Sequence, residues 1–229
     1  ELQGLASAFN RMAADLQRHE RDRSEVLAGI SHDLRTPLTR LRLEAELSVT
    51  DQGARQAVVA DIEQMEAIIS QFMDYARGDQ GETIVNTELN SLLYTLSERQ
   101  RCLAHPLELD LAETLPDVKL RPKALTRALT NLIDNAWKYG GNRVRLTAKV
   151  QAECLIIEIS DNGPGIPENE IERLKQPFTR LENARTNASG TGLGLAIVER
   201  VARVHGGQLE LLPNAGGGLI ARLSLPLNS

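Results

Sequence analysis

A histidine and a carboxylate are adjacent in the segment Ser31–Leu38, which has the sequence SHDLRTPL. Histidine is the one side chain that ordinarily titrates near neutrality, so its imidazole can act as a nucleophile without special activation. Asp33 is placed to take up or orient the proton of His32. The pair is a candidate catalytic centre if another part of the chain delivers a group to His32. Taken alone, His32 is equally compatible with an ordinary surface histidine.

Two asparagines and a lysine follow helical spacing further along the chain. Asn131, Asn135 and Lys138 are separated by four and three residues, which places them on one face of a helix predicted over 122–139. Asparagine is a mediocre helix former, so two on one face require a reason. Amide oxygens can ligate Mg²⁺, and an ammonium group can bind a phosphate. The alternative interpretation is a solvated helix face.

A first glycine-rich turn, Asp161–Ile166 (DNGPGI), directly follows an apolar strand pattern. Gly163 and Gly165 permit tight turns and the close approach of a ligand to the backbone. Asp161 would lie at the strand end, where its carboxylate can accept a hydrogen bond from an exocyclic amine such as that of adenine. An ordinary glycine turn is the alternative.

A second glycine-rich segment, Gly190–Leu195 (GTGLGL), precedes a predicted helix. Such a loop offers unpaired N–H groups and a positive helix end to phosphates. Its spacing matches neither the Walker loop nor the dinucleotide fingerprint. The polar stretch between Phe178 and Gly190 contains Arg180 and Arg185 and is long enough to form a mobile lid.

The first third of the chain must position His32, and it has the pattern of two helices. Apolar residues recur at heptad spacing over 2–16, are interrupted by the charged residues 17–23, and recur again over 26–47 and 58–72. A turn is predicted at Thr50–Gly53, which gives an antiparallel hairpin. A lone hairpin cannot cover both apolar stripes, whereas dimerisation into a four-helix bundle would. The alternative is a plain coiled-coil spacer.

Pro37 falls inside the first predicted helix and cannot donate to the carbonyl of Asp33. We therefore expect the helix to be able to bend beside His32, and such a bend would change access to the imidazole.

The remainder is predicted to be a separate domain that begins after a linker at Arg77–Glu82. Helical segments are predicted near 89–102, 122–139, 168 onwards and 193–204. Short strands are predicted near 84–85, 107–111, 118–120, 143–150, 154–160, 208–212 and 219–225. This order indicates an α+β domain with helices on one face of a largely antiparallel sheet.

Composition narrows the class of protein. The 229 residues carry a net charge of −5 and no basic stripe, which argues against direct binding of nucleic acid. No apolar run approaches the roughly 20 residues of a membrane span. The sequence starts without Met inside a helical pattern, so we expect a piece of a longer protein. Cys102 and Cys154 have no metal-ligand spacing, which indicates a reducing compartment.

Taken together and in this order, the motifs resemble the transmitter region of bacterial sensor histidine kinases. Ser31–Leu38 looks like the phosphoacceptor box, Asn131–Tyr139 the asparagine box, Asp161–Ile166 and Gly190–Leu195 the two glycine boxes, and Gln176–Phe178 the phenylalanine box. The segments 31–40 and 184–186 look closest to those of the osmosensor branch of the family.

The resemblance implies three domains. Residues 1–18 would be the end of a HAMP signalling helix, 19–80 the dimerisation and phosphotransfer domain, and 83–229 a Bergerat-type α/β sandwich that binds ATP. The implied partners are a second copy of the chain and the receiver domain of an OmpR-like response regulator. The implied location is the cytoplasmic portion of a bacterial inner-membrane protein, joined to the membrane through preceding segments.

Residue roles follow from the same resemblance. His32 would be phosphorylated, Asp33 would be its base or orienting partner, and Thr36 would position water for dephosphorylating the regulator. Asn135 would hold Mg²⁺ and Asp161 would recognise adenine. The other residues implied to surround ATP are Asn131, Lys138, Tyr139, Gly163, Gly165, Ile166, Arg180, Gly190, Thr191, Gly192, Leu193 and Gly194.

Two other functions share some of these motifs. A clamp ATPase of the gyrase, Hsp90 and MutL kind has the asparagine and glycine boxes but does not need His32. It normally carries a glutamate base on the asparagine helix, and 122–139 contains none. A non-catalytic dimeric scaffold would have a degenerate ATP site, whereas Asn135, Asp161 and the glycine loop are all present here.

Overall fold

The computed structural model of the chain describes residues 2–77, 82–181 and 190–227. The chain divides into two units, 1–77 and 78–229. The segment 78–81, which covers most of the predicted linker, lies outside the described residues.

The first unit is a helical hairpin of α1 (Leu2–Ser48) and α2 (Gln52–Arg77). The Asp51 carboxylate accepts a 2.7 Å hydrogen bond from the Ala54 N–H, which caps α2. Gln52 and Gly53 therefore belong to the first turn of α2, and the predicted turn is shorter than expected.

The helix α1 is continuous across the charged residues 17–23, which interrupt the apolar spacing of the sequence. Arginine and glutamate are good helix formers, so the loss of apolar spacing ends a packing stripe without ending the helix. The helix also continues through Pro37.

The hairpin buries one face of each helix. Ser31, Leu38 and Ala45, spaced by seven residues, are buried on α1, and Ile62 and Met73 are buried on α2. Ile69 and Phe72, two of the apolar residues predicted to repeat over 58–72, are half-buried. Other large apolar side chains stay exposed within the chain, on α1 Val26, Ile30, Leu34, Leu41, Leu43 and Leu47, and on α2 Val58, Met65 and Ile68.

The second unit contains two sheets. The strands are β1 (Val85–Thr87), β2 (Glu108–Leu111), β3 (Val118–Leu120), β4 (Val144–Gln151), β5 (Cys154–Asp161), β6 (Gln208–Pro213) and β7 (Leu219–Pro226). β1 pairs with β3, and the main sheet has the order β2-β4-β5-β7-β6. Only the β2–β4 pair of the described strands is parallel. The largely antiparallel arrangement predicted from the sequence is confirmed.

Helices cover one face of this sheet. They are α3 (Leu89–Cys102), α4 (Pro122–Tyr139), α5 (Ile171–Leu174), which follows a 3₁₀ turn at Glu168–Glu170, and α6 (Gly194–Val204). The apolar stripe of α4 packs against the alternating residues of β5, and Leu129, Ile133, Leu155 and Ile157 have no exposed surface. The predicted α+β architecture, a helical hairpin plus an α/β layer domain, is confirmed.

The β4–β5 hairpin turns through only two residues, because Gln151 pairs with Cys154. Ala152 and Glu153 both have positive φ, 49° and 61°. Positive φ at both central positions matches a tight turn whose twist follows that of the strands, although Asn-Gly is the usual pair there.

The start of α4 is fixed from two directions. The Arg121 N–H donates a 3.0 Å hydrogen bond to His205 Nε2 beside α6. The Glu82 carboxylate accepts bonds of 2.7 and 3.0 Å from the N–H groups of Lys123 and Ala124. These contacts satisfy donors that the helix itself leaves open and hold α4 in place.

Both cysteines are free. Among the described residues, every helix is too short or too polar to cross a bilayer.

Candidate functional site

The polar face of α4 lies against the second glycine loop. Asn131 Nδ2 donates a 2.9 Å hydrogen bond to the Arg127 carbonyl, which fixes the orientation of its amide. A Cβ atom built on Gly194 would lie 3.2 Å from Asn131 Oδ1 and 3.3 Å from Asn135 Nδ2. Both asparagine side chains therefore reach the N-terminus of α6.

The end of α4 meets the same loop. A Cβ atom on Gly190 would lie 2.9 Å from Lys138 Nζ and 3.3 Å from Tyr139 Oη. The Lys138 ammonium lies 5.2 Å from the centre of the Tyr139 ring, a distance at which a cation is attracted to the ring face. A positive charge and a phenol thus stand beside backbone that can approach a phosphate.

Asp161 lies at the end of the buried row of β5. Alternate residues of this strand, Leu155, Ile157 and Ile159, face the core, and Asp161 continues that row with only 8% of its surface exposed. Its Oδ1 accepts hydrogen bonds from the N–H groups of Gly163 at 2.9 Å and Leu219 at 3.2 Å.

Asn162 connects the first glycine turn to the segment that follows α4. Its Oδ1 accepts bonds from the N–H groups of Asn142 at 3.2 Å and Arg143 at 3.0 Å. Its own N–H donates to the Gly140 carbonyl at 3.0 Å. A Cβ atom on Gly163 would lie 2.7 Å from the Tyr139 carbonyl, so the turn packs directly on the end of α4.

The phenylalanine-containing segment contacts the second glycine loop. The Phe178 N–H donates a 3.0 Å bond to the Gly192 carbonyl, and the Leu193 N–H donates a 3.2 Å bond to Thr191 Oγ1. Gly192 has a φ of +71°, which a glycine adopts without strain. The residues between these segments, 182–189, include Arg185 and lie outside the described residues.

Three other predicted positions lie at the edges of this region. Ile166 is partly buried one residue after Gly165, whose missing side chain leaves room for the Gly218 carbonyl. Arg180 is also partly buried, and its carbonyl accepts a 3.4 Å bond from the Arg173 guanidinium.

The predicted phosphoacceptor residues lie on α1 in the first unit. His32 Nδ1 is 3.4 Å from Asp33 Oδ1, and the two side chains are 84% and 85% exposed. The Thr36 hydroxyl donates a 3.4 Å bond to the His32 carbonyl, one turn below. The imidazole is therefore open to an approaching reactant and has a carboxylate beside one of its nitrogens.

The donor set of the second unit fits a magnesium ion that arrives with its ligand. No group of three acidic, histidine or cysteine side chains that could hold a metal occurs within the described residues. Asn135 offers one amide oxygen, and Mg²⁺ commonly takes one or two protein oxygens, with phosphates and water supplying the rest. Asn135 is the residue that would hold it.

The contacts around Asp161 include residues that sequence reasoning missed. Asn214 Nδ2 donates a 2.8 Å hydrogen bond to the Asp161 carbonyl, and Leu219 donates to its carboxylate. Both residues lie more than 50 positions away, in or beside the β6–β7 turn. The run Gly216-Gly217-Gly218 is the sequence signal that marks this turn for close packing.

Comparison with known families gives two matches. Residues 121–229 match the family described as histidine kinase-, DNA gyrase B-, and HSP90-like ATPase. Residues 22–81 match the family described as the His Kinase A (phospho-acceptor) domain.

Two relatives match nearly the whole chain. The sensor histidine kinase GtrS of Pseudomonas aeruginosa is 35% identical over 227 residues, which are 99% of this chain and 46% of that protein. The signal transduction histidine-protein kinase/phosphatase MprB of Mycolicibacterium vanbaalenii is 34% identical over 95% of this chain and 48% of that protein. The chain thus spans about half the length of these curated relatives.

A solved structure is also similar. The NMR structure of the histidine kinase domain of the Escherichia coli osmosensor EnvZ is 33% identical, with a TM-score of 0.50. The match covers 65% of this chain and 90% of that domain.

Proposed function

The chain belongs to the sensor histidine kinases of two-component systems, and from this premise we propose that it phosphorylates its own His32 with ATP. The observation that carries the proposal is the convergence of the α4 polar face, the Gly190–Gly194 loop and Asp161 within one unit. ATP binding by this unit agrees with its ATPase family match.

Each part of the site has a separate task in binding ATP. The Asp161 carboxylate accepts a hydrogen bond from the 6-amino group of adenine. Lys138 and the N–H groups at the start of α6 bind the phosphates. Mg²⁺ would supply charge neutralisation at the phosphates, and Asn135 is the residue that would hold it. Asn131 lies near the phosphates, and Tyr139 lies beside the nucleotide.

In the transfer step, His32 Nε2 attacks the γ-phosphorus as the bond from that phosphorus to the β–γ bridging oxygen breaks, and ADP leaves. Asp33 beside Nδ1 holds the proton of that nitrogen and leaves the Nε2 lone pair free for attack. Phosphoryl transfer depends on positioning and charge neutralisation more than on covalent help from the protein. The exposure of His32 allows the γ-phosphate to come within bonding reach.

We further propose that phosphohistidine passes its phosphoryl group to an aspartate of an OmpR-like receiver domain. Thr36, one turn from His32, is proposed to position water for removing that phosphate from the regulator. The similarity to MprB, a histidine-protein kinase/phosphatase, supports a bifunctional assignment.

The assembly is proposed to be a homodimer built through the hairpins of residues 19–80, with 83–229 as the ATP-binding domain. The exposed apolar stripes of α1 and α2 support this arrangement. Residues 1–18 are proposed to end a HAMP helix, which would make the chain the cytoplasmic portion of an inner-membrane protein.

The test is incubation of the chain with γ-labelled ATP and Mg²⁺. We expect acid-labile, base-stable protein labelling that is lost in His32→Ala and retained in His19→Ala, a control histidine on the same helix. Asn135→Ala should abolish labelling while leaving the fold intact by circular dichroism. Labelling that persists in His32→Ala, or release of free phosphate without labelled protein, would contradict the proposal and favour a clamp ATPase.

A further inference from the structure

The turn between β6 and β7, residues 214–218, packs on the residue proposed to recognise adenine. Asn214 Nδ2 donates a 2.8 Å hydrogen bond to the Asp161 carbonyl. Leu219, the first residue after the turn, donates its N–H to Asp161 Oδ1 at 3.2 Å. The segment therefore holds Asp161 by its backbone and by its side chain.

The turn is shaped for this approach. Gly218 is buried with a φ of +101°, and a Cβ atom there would lie 2.1 Å from the Asp161 carbonyl oxygen and 2.7 Å from Oδ1. Any side chain at this position would push the turn away from Asp161. The turn is also closed internally, since the Asn214 N–H donates to the Gly218 carbonyl at 3.1 Å.

The two carboxylate oxygens of Asp161 consequently differ in their hydrogen bonding. Oδ1 receives the N–H groups of Gly163 and Leu219, and within the described part of the chain both donors to the carboxylate end at this oxygen. Oδ2 is the oxygen left for a ligand. The two donors thus fix the orientation of the carboxylate and the direction of the Oδ2 lone pairs.

We propose that Asn214 and Gly218 are positioning residues that set the preference of this site for a nucleobase with an exocyclic amine. The proposal rests on the proposed function, because it requires Asp161 to accept a hydrogen bond from that amine. Both residues would act through Asp161, which they contact directly.

The test compares two nucleotides by titration calorimetry with the full chain. The nucleotides are ADP and purine riboside 5′-diphosphate, which has a hydrogen in place of the 6-amino group. Neither can donate a phosphoryl group to His32. We expect the unmodified chain to prefer ADP by about tenfold or more, the typical effect of a hydrogen bond to a charged group.

In Asn214→Ala the preference should fall to about threefold or less, because ADP binding weakens while binding of the deaminated analogue does not change. Asn214→Asp keeps the size of the side chain but removes the donor, so it should have the same effect even if the alanine variant folds poorly. Gly218→Ala should also lower the preference. Gly216→Ala is the matched control, because a Cβ atom there meets nothing within 4 Å.

Equal weakening of both nucleotides in the Asn214 variants would overturn the proposal, since it would indicate a general structural role. An unmodified chain that binds both nucleotides equally would overturn it together with the adenine role of Asp161, yet His32 labelling would still test the kinase activity. If the unmodified chain prefers ADP over the deaminated analogue but is not labelled at His32, the kinase assignment is rejected. The positioning role of Asn214 and Gly218 would still stand.

Discussion

Asp134 is the carboxylate on α4 that directly precedes Asn135 in the sequence, and it is not one of the candidate site residues. Partial burial raises the pKa of Asp134 above its ordinary value, while a hydrogen bond from the Gln100 side chain and the charges of His105 and Arg99 oppose that rise. The folded state therefore binds a proton at Asp134 more tightly than the unfolded state does.

The first prediction concerns the pH dependence of stability. Because the folded-state pKa of Asp134 is raised, stability falls as the pH rises above about 4 and the carboxylate ionises. Asp134→Asn keeps an acceptor for Gln100 and avoids the ionisation. The variant should equal the unmodified protein at pH 3 and exceed it at pH 7.

Urea unfolding at a series of pH values measures this difference. The gain at pH 7 should stay below about 1 kcal/mol, because Asp134 keeps solvent contact. A gain that is the same at every pH would mean that ionisation of Asp134 is not its source.

Asp161 shows how far sequence reasoning can reach at the scale of a residue. Its place after an apolar run predicted a strand-end position, from which the carboxylate can accept a hydrogen bond. The donors from Asn214 and Leu219 could not be predicted, because they depend on β7 pairing with β5 across more than 50 residues of sequence. Local sequence patterns indicate which residues form helices or strands and which are buried. These contacts instead depend on the order of strands in the sheet.

At the scale of elements, α4 is the helix whose placement matters most, since it carries Asn131, Asn135 and Lys138. Its bounds were predicted from its own sequence, because Pro122 is favoured in the first turn of a helix and Gly140 at its end. Its capping by Glu82 was not predicted, because the two lie about 40 residues apart and the cap residue itself, Arg121, makes no side-chain capping bond.

The second prediction tests this cap. Glu82→Ala leaves the N–H groups of Lys123 and Ala124 without their carboxylate partner and should cost about 1 kcal/mol of unfolding free energy. Glu88→Ala is the matched control, since Glu88 precedes α3 and makes no side-chain capping bond. Thermal unfolding of the two variants, followed by circular dichroism, measures the difference. Equal midpoints would show that the Glu82 carboxylate adds nothing to stability.

At the scale of the whole molecule, the hairpin presents apolar surface that a single copy does not bury. On α1 the exposed Ile30, Leu34 and Leu41 lie on adjoining positions of one face, whereas Leu43 projects from nearly the opposite face. The heptad pattern predicted this surplus surface, but it did not separate the residues buried inside the hairpin from those left outside it.

The third prediction follows for the proposed dimer. Leu41→Asp would bury a carboxylate at the contact between copies and should weaken the dimer by about 3 kcal/mol, or roughly a hundredfold in dissociation constant. Leu43→Asp introduces the same charge on the other face and should leave the dimer intact. Light scattering across a dilution series measures both, and identical behaviour of the two variants would reject this face as the interface.

The two-residue β4–β5 turn has a consequence for how this lineage can change. Insertion or loss of a single residue within β5 after the turn would move every later residue of the strand to the opposite face of the sheet. Ser160 or Asn162 would then take the inward position of Asp161. Insertions or deletions in this strand that survive in descendants should therefore comprise an even number of residues, because only then does Asp161 stay on the inward face of the sheet.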